Sequence, residues 1–201
     1  MPLRVHLMPT KLPGGRTTAI GYAQALNGFH AAKYATGRGR PLNRMVSINF
    51  SRLDLDEEAC GPLFRELRDR VARAWKYADA TGAGLGSFDY IVAHENPAAR
   101  RNVHCAVHVP VEHTDWFDQL VRHRLAKLIG RPLPQGTLDF TEIKTPGNTT
   151  KYILKGVDRR YVQHFHMRDW ASDQGVVSGR RFATSRSIGR TARRRNNWRR
   201  G

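Results

Sequence analysis

The sequence predicts an α+β domain on a split βαβ plan, an antiparallel sheet of the ferredoxin/RRM-like kind with helices on one face. Three observations predict it. Residues 44–50, 87–95, 102–109 and 137–143 carry the alternation or β-rich composition of strands. Residues 56–80 and 114–129 repeat apolar side chains at three- and four-residue spacing, as amphipathic helices do. Their order is strand, helix, strand, strand, helix, strand, with a short helix after the last. Such a sheet would leave its second face open to carry a site.

Along the chain, residues 1–43 are rich in glycine and arginine and read as a basic N-terminal extension, with a short helix between Ala19 and Tyr34. The first strand, Arg44 to Phe50, alternates Met45, Ser47 and Asn49 against Val46, Ile48 and Phe50. Asp56 can cap the first long helix, which Leu63, Phe64, Leu67, Val71, Ala74 and Trp75 mark as core packing. Pro62 belongs near its first turn, because deeper placement would break it. Thr114 can cap the second helix and Gly130 ends it. Thr145 to Asn148 form a turn, with Asn148 a cap for a short helix over 149–155 closed by Gly156. Residues 44–173 form the domain, and residues 174–201 an arginine-rich tail.

Charge is distributed unevenly. The net charge is +17, yet no Asp or Glu precedes Asp54 or follows Asp173. Of the 34 bases, 8 fall in residues 1–53 and 9 in residues 174–201, so the 17 in the middle balance all 17 acids. Two basic flanks on a neutral middle suit a polyanion, most simply the phosphates of nucleic acid. No amphipathic or 18-residue apolar stretch suggests a membrane partner. Cys60 and Cys105 have no metal spacing and read as free thiols of a reducing compartment. With no apolar signal core after Met1, a cytoplasmic protein is expected.

Two stretches carry chemistry. On the strand 102–109, Asn102, His104 and His108 share one face, with Val103, Cys105, Val107 and Val109 on the other. Residues two apart on a face lie about 6.6 Å apart, so Asn102 and His104 can converge on one ion, whereas His104 and His108 are about 13 Å apart. A third ligand would come from the neighbouring strand: Glu95 in one register, His94 in a register slipped by one. Amide, imidazole and carboxylate suit Mg²⁺ or Mn²⁺. A zinc site through Cys105 is disfavoured, because that thiol points away from His104. In the second stretch, Tyr152 and Lys155 are three apart on the short helix and share a face, and Lys151 adds charge. A lysine beside a tyrosine favours its phenolate.

Together these motifs resemble the HUH-type single-strand DNA endonucleases, above all the rolling-circle replication initiators of plasmids and single-stranded DNA viruses. The resemblance covers roughly residues 44–156. Val46 to Phe50 is similar to that family's first strand motif, Asn102-Val103-His104 stands where it has a His-hydrophobic-His metal strand, and Tyr152 to Lys155 looks like its tyrosine motif. This chain departs from the pattern at Asn102, where the family has its first histidine.

The resemblance implies Tyr152 as nucleophile, and a Mg²⁺ or Mn²⁺ ion held by His104, Asn102 and Glu95. It also implies a 5′-phosphotyrosine intermediate at an origin, with Lys155 stabilising phosphate or phenolate. His108 would support the ligands from behind or touch DNA. Tyr161, nine residues beyond Tyr152, falls on another helix face, so one tyrosine is expected to act. Arg180, Arg181, Arg186, Arg190, Arg193, Arg194, Arg195, Arg199 and Arg200 would follow the DNA backbone, with Trp198 stacking a base. No G-x-x-x-x-G-K-[ST] loop occurs in the sequence, so strand opening would fall to a host helicase and synthesis to a host polymerase, in the host cytoplasm or at the nucleoid. The alternatives are a noncatalytic nucleic-acid-binding module on a degenerate version of this fold, and a relaxase or transposase with the same chemistry.

Overall fold

The structure, a computed structural model, describes residues 10–198. Strand β1 (Arg16–Thr17) and helix α1 (Tyr22–Gly37) come first. Strand β2 (Arg44–Asn49), helix α2 (Glu57–Ala78), strands β3 (Tyr90–Glu95) and β4 (Asn102–Val107), helix α3 (Thr114–Ile129) and strand β5 (Leu138–Glu142) follow in the expected order. Helix α4 (Pro146–Ile153), strands β6 (Val177–Ser178) and β7 (Phe182–Thr184) and helix α5 (Arg190–Arg195) complete the described chain. Strands β5, β2, β4, β3 and β7 pair in that order into one antiparallel sheet, and β1 pairs with β6 as a separate ribbon. The protein is thus α+β.

The alternation along the strands sorts two cores. Val46, Ile48, Val92, Val103, Cys105 and Val107 face Phe64, Leu67 and Trp75 of α2 and Phe117, Val121 and Leu125 of α3. Burying this layer is the main driving force for the two long helices to dock. The opposite face carries Met45, Ile91, Ala93 and Ala106, and it is covered as well, by Ala25, Ala31, Ala32 and Ala35 of α1 and by Ile153 and Leu154. Helices on one face only was therefore the wrong expectation: the sheet is sandwiched, and the second face stays open at its end near Asn102 and along β5, where Asp139 and Thr141 are exposed. Helix α1 can lie this close because its contact residues are small. A Cβ on Gly28 would come within 2.8 Å of Phe182 Cζ and 3.1 Å of Leu154 Cδ2.

The flanks are corrected too. Ile20, Leu42, Phe182 and Ile188 are buried, so the supposed extension and tail complete the core and the sheet edge. Their joint is Arg181, 1% exposed, whose guanidinium donates to the carbonyls of Thr17 at 3.0 Å, Gln174 at 3.2 Å and His94 at 3.4 Å, and also to Gly175. Burial lowers its pKa to about 10, which leaves it protonated at neutral pH. Smaller differences concern the helix ends. Pro62 lies in the second turn of α2 rather than the first. Thr114 is the first residue of α3, after His113 at the cap. Helix α4 starts at Pro146, which places Asn148 inside it, because proline's fixed φ suits the first helical position. Among the described residues, no helix is long and apolar enough to cross a membrane.

Candidate active site

Strand β4 lies in the middle of the sheet, and register decides what faces its polar residues. Asn102 stands opposite Glu95 on β3 and Asn49 on β2, and His104 stands opposite Ala93 and Ser47. Directly opposed residues share a face, so Glu95 and not His94 belongs with Asn102 and His104. His94 pairs with Val103 and turns to the α2 layer, its ring edge-on to Phe64 at 5.2 Å. Burial there, next to the charges of Arg181 and Arg68, lowers its pKa to about 4, so it is neutral at physiological pH.

Helix α4 crosses this end of the sheet and lays Tyr152 on His104. The rings are 5.1 Å apart at 71°, with the phenol oxygen 3.3 Å from His104 Nε2. Lys155, on the turn that closes α4, sits 3.8 Å over the Tyr152 ring and pairs with Glu95 Oε2 at 2.9 Å. The same carboxylate oxygen is 3.4 Å from His104 Nε2. Glu95 is 4% exposed, whereas Tyr152 reaches the surface at 36%. Tyrosine, histidine, glutamate and lysine thus form one contiguous cluster. Tyr161 lies elsewhere, edge-on to Tyr22 at 5.3 Å.

The far side of His104 is set by a residue that sequence reasoning passed over. Ser47 Oγ is 2.9 Å from His104 Nδ1 and fixes the ring's orientation. The signal was present, since Ser47 alternates onto the polar face of its strand, but only the cross-strand register pairs it with His104. Should His104 hold an ion, Ser47→Ala would leave the fold intact and weaken Mn²⁺ binding by roughly tenfold, the scale for a ligand histidine that loses its outer partner. Titration calorimetry with Mn²⁺ measures it, and an unchanged affinity would remove the orienting role.

The polar atoms around Glu95 test whether an ion fits. Glu95 Oε1 is buried with no hydrogen-bond partner, a costly state for a carboxylate oxygen unless a ligand occupies its far side. With His104 and Asn102 on the same face, the donors are a carboxylate, an imidazole and an amide, a set that accepts Mg²⁺ or Mn²⁺. Glu57 Oε1, Asn96 Oδ1 and Arg101 Nε are likewise buried and unpaired. Their residues line, with Glu95 and Asn102, a cavity of about 20 Å³, room for a single water. No cluster of three or more His, Cys, Asp or Glu residues is arranged to hold a metal among the described residues, so the amide of Asn102 is needed in any such set.

Several expected site residues lie elsewhere. His108 is buried beyond the end of β4, its Nδ1 bonded to the Pro41 carbonyl at 2.8 Å, and burial lowers its pKa. The alanine at 106, covered by α1, separates it from the cluster. Lys151 is half-buried on α4 and is not a partner of Glu95, His104 or Tyr152. Cys105 faces the α2–α3 core, where burial pushes its thiol to about 12. Of the arginines expected on DNA, Arg180, Arg186, Arg194 and Arg195 are exposed, but Arg181 and Arg193 are buried. Arg193 donates to the Ile188 carbonyl at 2.6 Å and to Asn27 Oδ1 at 2.8 Å. Trp198 packs on Tyr34 and His30 at 5.7 Å, so it is used in the fold. Arg199 and Arg200 lie outside the described residues.

In comparison with known proteins, no protein-family model matches the chain, and no curated protein matches it.

Proposed function

We propose that this protein is a metal-dependent endonuclease of the HUH type that nicks and rejoins single-stranded DNA, as a rolling-circle replication initiator does at an origin. The observation that carries the reading is the contact of the surface phenol of Tyr152 with His104, beside a buried carboxylate with a free oxygen. A tyrosine held there by Lys155 is poised to act on a phosphodiester. The finer fold belongs to the same reading. The sheet order β5-β2-β4-β3 with helices after β2 and β4 supports the split βαβ plan expected of that family, to which β7 and α1 would be additions.

In this mechanism His104, Glu95 and Asn102 would hold a Mg²⁺ or Mn²⁺ ion. When bound, the ion supplies Lewis-acid polarisation of the scissile phosphate. Ser47 keeps His104 turned so that Nε2 faces Tyr152 and Glu95. The Lys155 ammonium, over the Tyr152 ring, is placed to hold the scissile phosphate, and the phenol proton leaves to the solvent that reaches Tyr152. The phenolate oxygen bonds to phosphorus as the bond from phosphorus to the 3′ oxygen breaks, and that oxygen takes a proton from solvent. The products are a 5′-phosphotyrosine and a 3′-hydroxyl, and the reverse attack rejoins the strand. Host helicase and polymerase would act on that 3′ end.

A second reading dispenses with the ion. The distance of 3.3 Å from the phenol to Nε2 would let His104 take the proton itself. Incubating the protein with end-labelled single-stranded origin DNA, with Mn²⁺ or with EDTA, tests both. A denaturation-resistant protein–DNA adduct in Mn²⁺ and none in EDTA is the expected result. An adduct that survives EDTA favours His104 as base, and no adduct in either condition sinks both readings in favour of a noncatalytic binding module.

A further inference from the structure

The two acid-free flanks, more than a hundred residues apart in sequence, meet in space. Arg16 and Thr17 of β1 pair with Ser178 and Val177 of β6. Helix α1 packs beside β7 and α5. Between them opens a groove of about 710 Å³ whose lining includes Lys11, Thr17, Gln24, Asn27, Arg180 and Arg190. Every residue lining it comes from residues 11–27 or 179–190, segments without a single Asp or Glu. Lys11, Arg180 and Arg190 are exposed, and among the described residues none of them has a carboxylate partner. The polar side chains between them each make a bond within the fold: Thr17 Oγ1 donates to Gly179 O, Gln24 Oε1 accepts from Gly21 N, and Asn27 Nδ2 donates to Thr184 Oγ1. What the groove offers a ligand is therefore positive charge. Its one aromatic lining residue, Phe182, is buried, so the groove has no platform for stacking bases.

The groove is also in register with the site. Phe182 on its floor stands opposite Ala93, and Ala93 stands opposite His104. Two strand spacings, about 10 Å, separate the β7 edge from the histidine. Arg181 ties them together, because its buried guanidinium holds the carbonyl of Thr17 in the groove wall and that of His94 next to Glu95.

We infer that this groove is a sequence-independent phosphate track for the single strand on one side of the scissile bond, with Lys11, Arg180 and Arg190 as its contacts. The inference rests on the nuclease reading for its ligand and goes beyond it in placing the strand along the β7 edge instead of along an arginine-rich tail. Phosphate contacts without base readout give binding that is strong, salt-dependent and indifferent to sequence.

The test uses the full chain and a fluorescein-labelled 20-mer of thymidylate, with anisotropy read across a salt series. In the Lys11→Gln, Arg180→Gln, Arg190→Gln variant, affinity at low salt should fall at least tenfold. The slope of log affinity against log salt should become shallower by about 2, near 0.7 for each lost phosphate contact. A control of equal charge change, Arg65→Gln, Lys76→Gln, Lys127→Gln, alters exposed bases on α2 and α3 and should keep the wild-type slope within about 0.5. Equal losses in both variants, or an unchanged slope in the groove variant, overturn the track. Arg180→Gln alone, with an expected slope change of about 0.7, decides the matter should the triple variant not fold. A protein that binds the 20-mer through the groove yet forms no adduct on origin DNA would keep the track and end the nuclease reading. An adduct with no dependence on the groove would do the reverse.

Discussion

Tyr152→Phe is expected to abolish the covalent protein–DNA adduct while leaving the molecule folded. The phenol oxygen makes one hydrogen bond, at 3.3 Å to His104 Nε2. Phenylalanine keeps the ring that packs on the imidazole and lies under the Lys155 ammonium. Loss of one long, partly exposed hydrogen bond costs under about 1 kcal/mol of stability. The chemistry, in contrast, loses its attacking atom, and a missing nucleophile lowers the rate by about 10⁴-fold or more. The measurement is the fraction of labelled single strand that migrates with the protein on a denaturing gel. Wild type and variant should differ completely there, with overlapping circular dichroism spectra and ssDNA affinities within about twofold. A persistent adduct in Tyr152→Phe would move the nucleophile away from His104. Tyr161 packs edge-on to Tyr22 and under the Arg160 guanidinium, away from the imidazole and carboxylate of the cluster.

Arg181→Leu should be the most damaging single substitution on the basic flanks, and for a reason unconnected with DNA. Its guanidinium satisfies carbonyls from four places in the chain, at Thr17, His94, Gln174 and Gly175. Leucine fills part of the volume but removes the guanidinium donor from all four; Gln174 O keeps the Asn96 N–H at 2.9 Å, while each oxygen left with no other donor costs about 1 kcal/mol or more. A total loss of roughly 3–5 kcal/mol is expected, the range for removing one member of a buried charged network. That is a large part of the total stability of an ordinary domain, about 5–15 kcal/mol. Urea unfolding reads it as a lower midpoint with unchanged slope. Arg181→Lys keeps the charge and loses the fork, so its midpoint should fall between the two. A midpoint equal to wild type in Arg181→Leu would return this arginine to the surface role that its sequence neighbourhood suggested.

The parts of the fold that were legible in the sequence are those with strong local periodicity. Val46, Ile48 and Phe50, then Val103, Cys105 and Val107, alternate without interruption, and Phe64, Leu67, Val71 and Trp75 hold helical spacing. Helix α1 was not legible as core, because alanines and glycine at its buried positions leave a weak apolar stripe. Strand β7 was not legible either. Three residues make no period, and what fixes Phe182 opposite Ala93 is a pairing across nearly ninety residues. The site divides in the same way. Spacing on single elements placed Asn102 with His104 and Tyr152 with Lys155. The approach of Tyr152 to His104, Lys155 to Glu95 and Ser47 to His104 belongs to the packing of α4 and the turn after it on β4 and β3, and to the pairing of β2 with β4. Composition misread Arg181 and Arg193, since nothing local distinguishes a buried arginine from a solvated one.

The placement of β7 has a consequence during synthesis. Until residues 182–184 emerge from the ribosome, Ile91, Val92 and Ala93 present a bare apolar edge that can pair with another nascent chain. His104 and Tyr152 are translated well before the segment that closes that edge and before Arg181 can bind Thr17 and His94. Closing so long a loop is slow relative to hairpin formation. The interval between making the site residues and locking them is thus written into the chain's connectivity, and a translational pause after residue 160 would lengthen the period in which the protein is prone to aggregate.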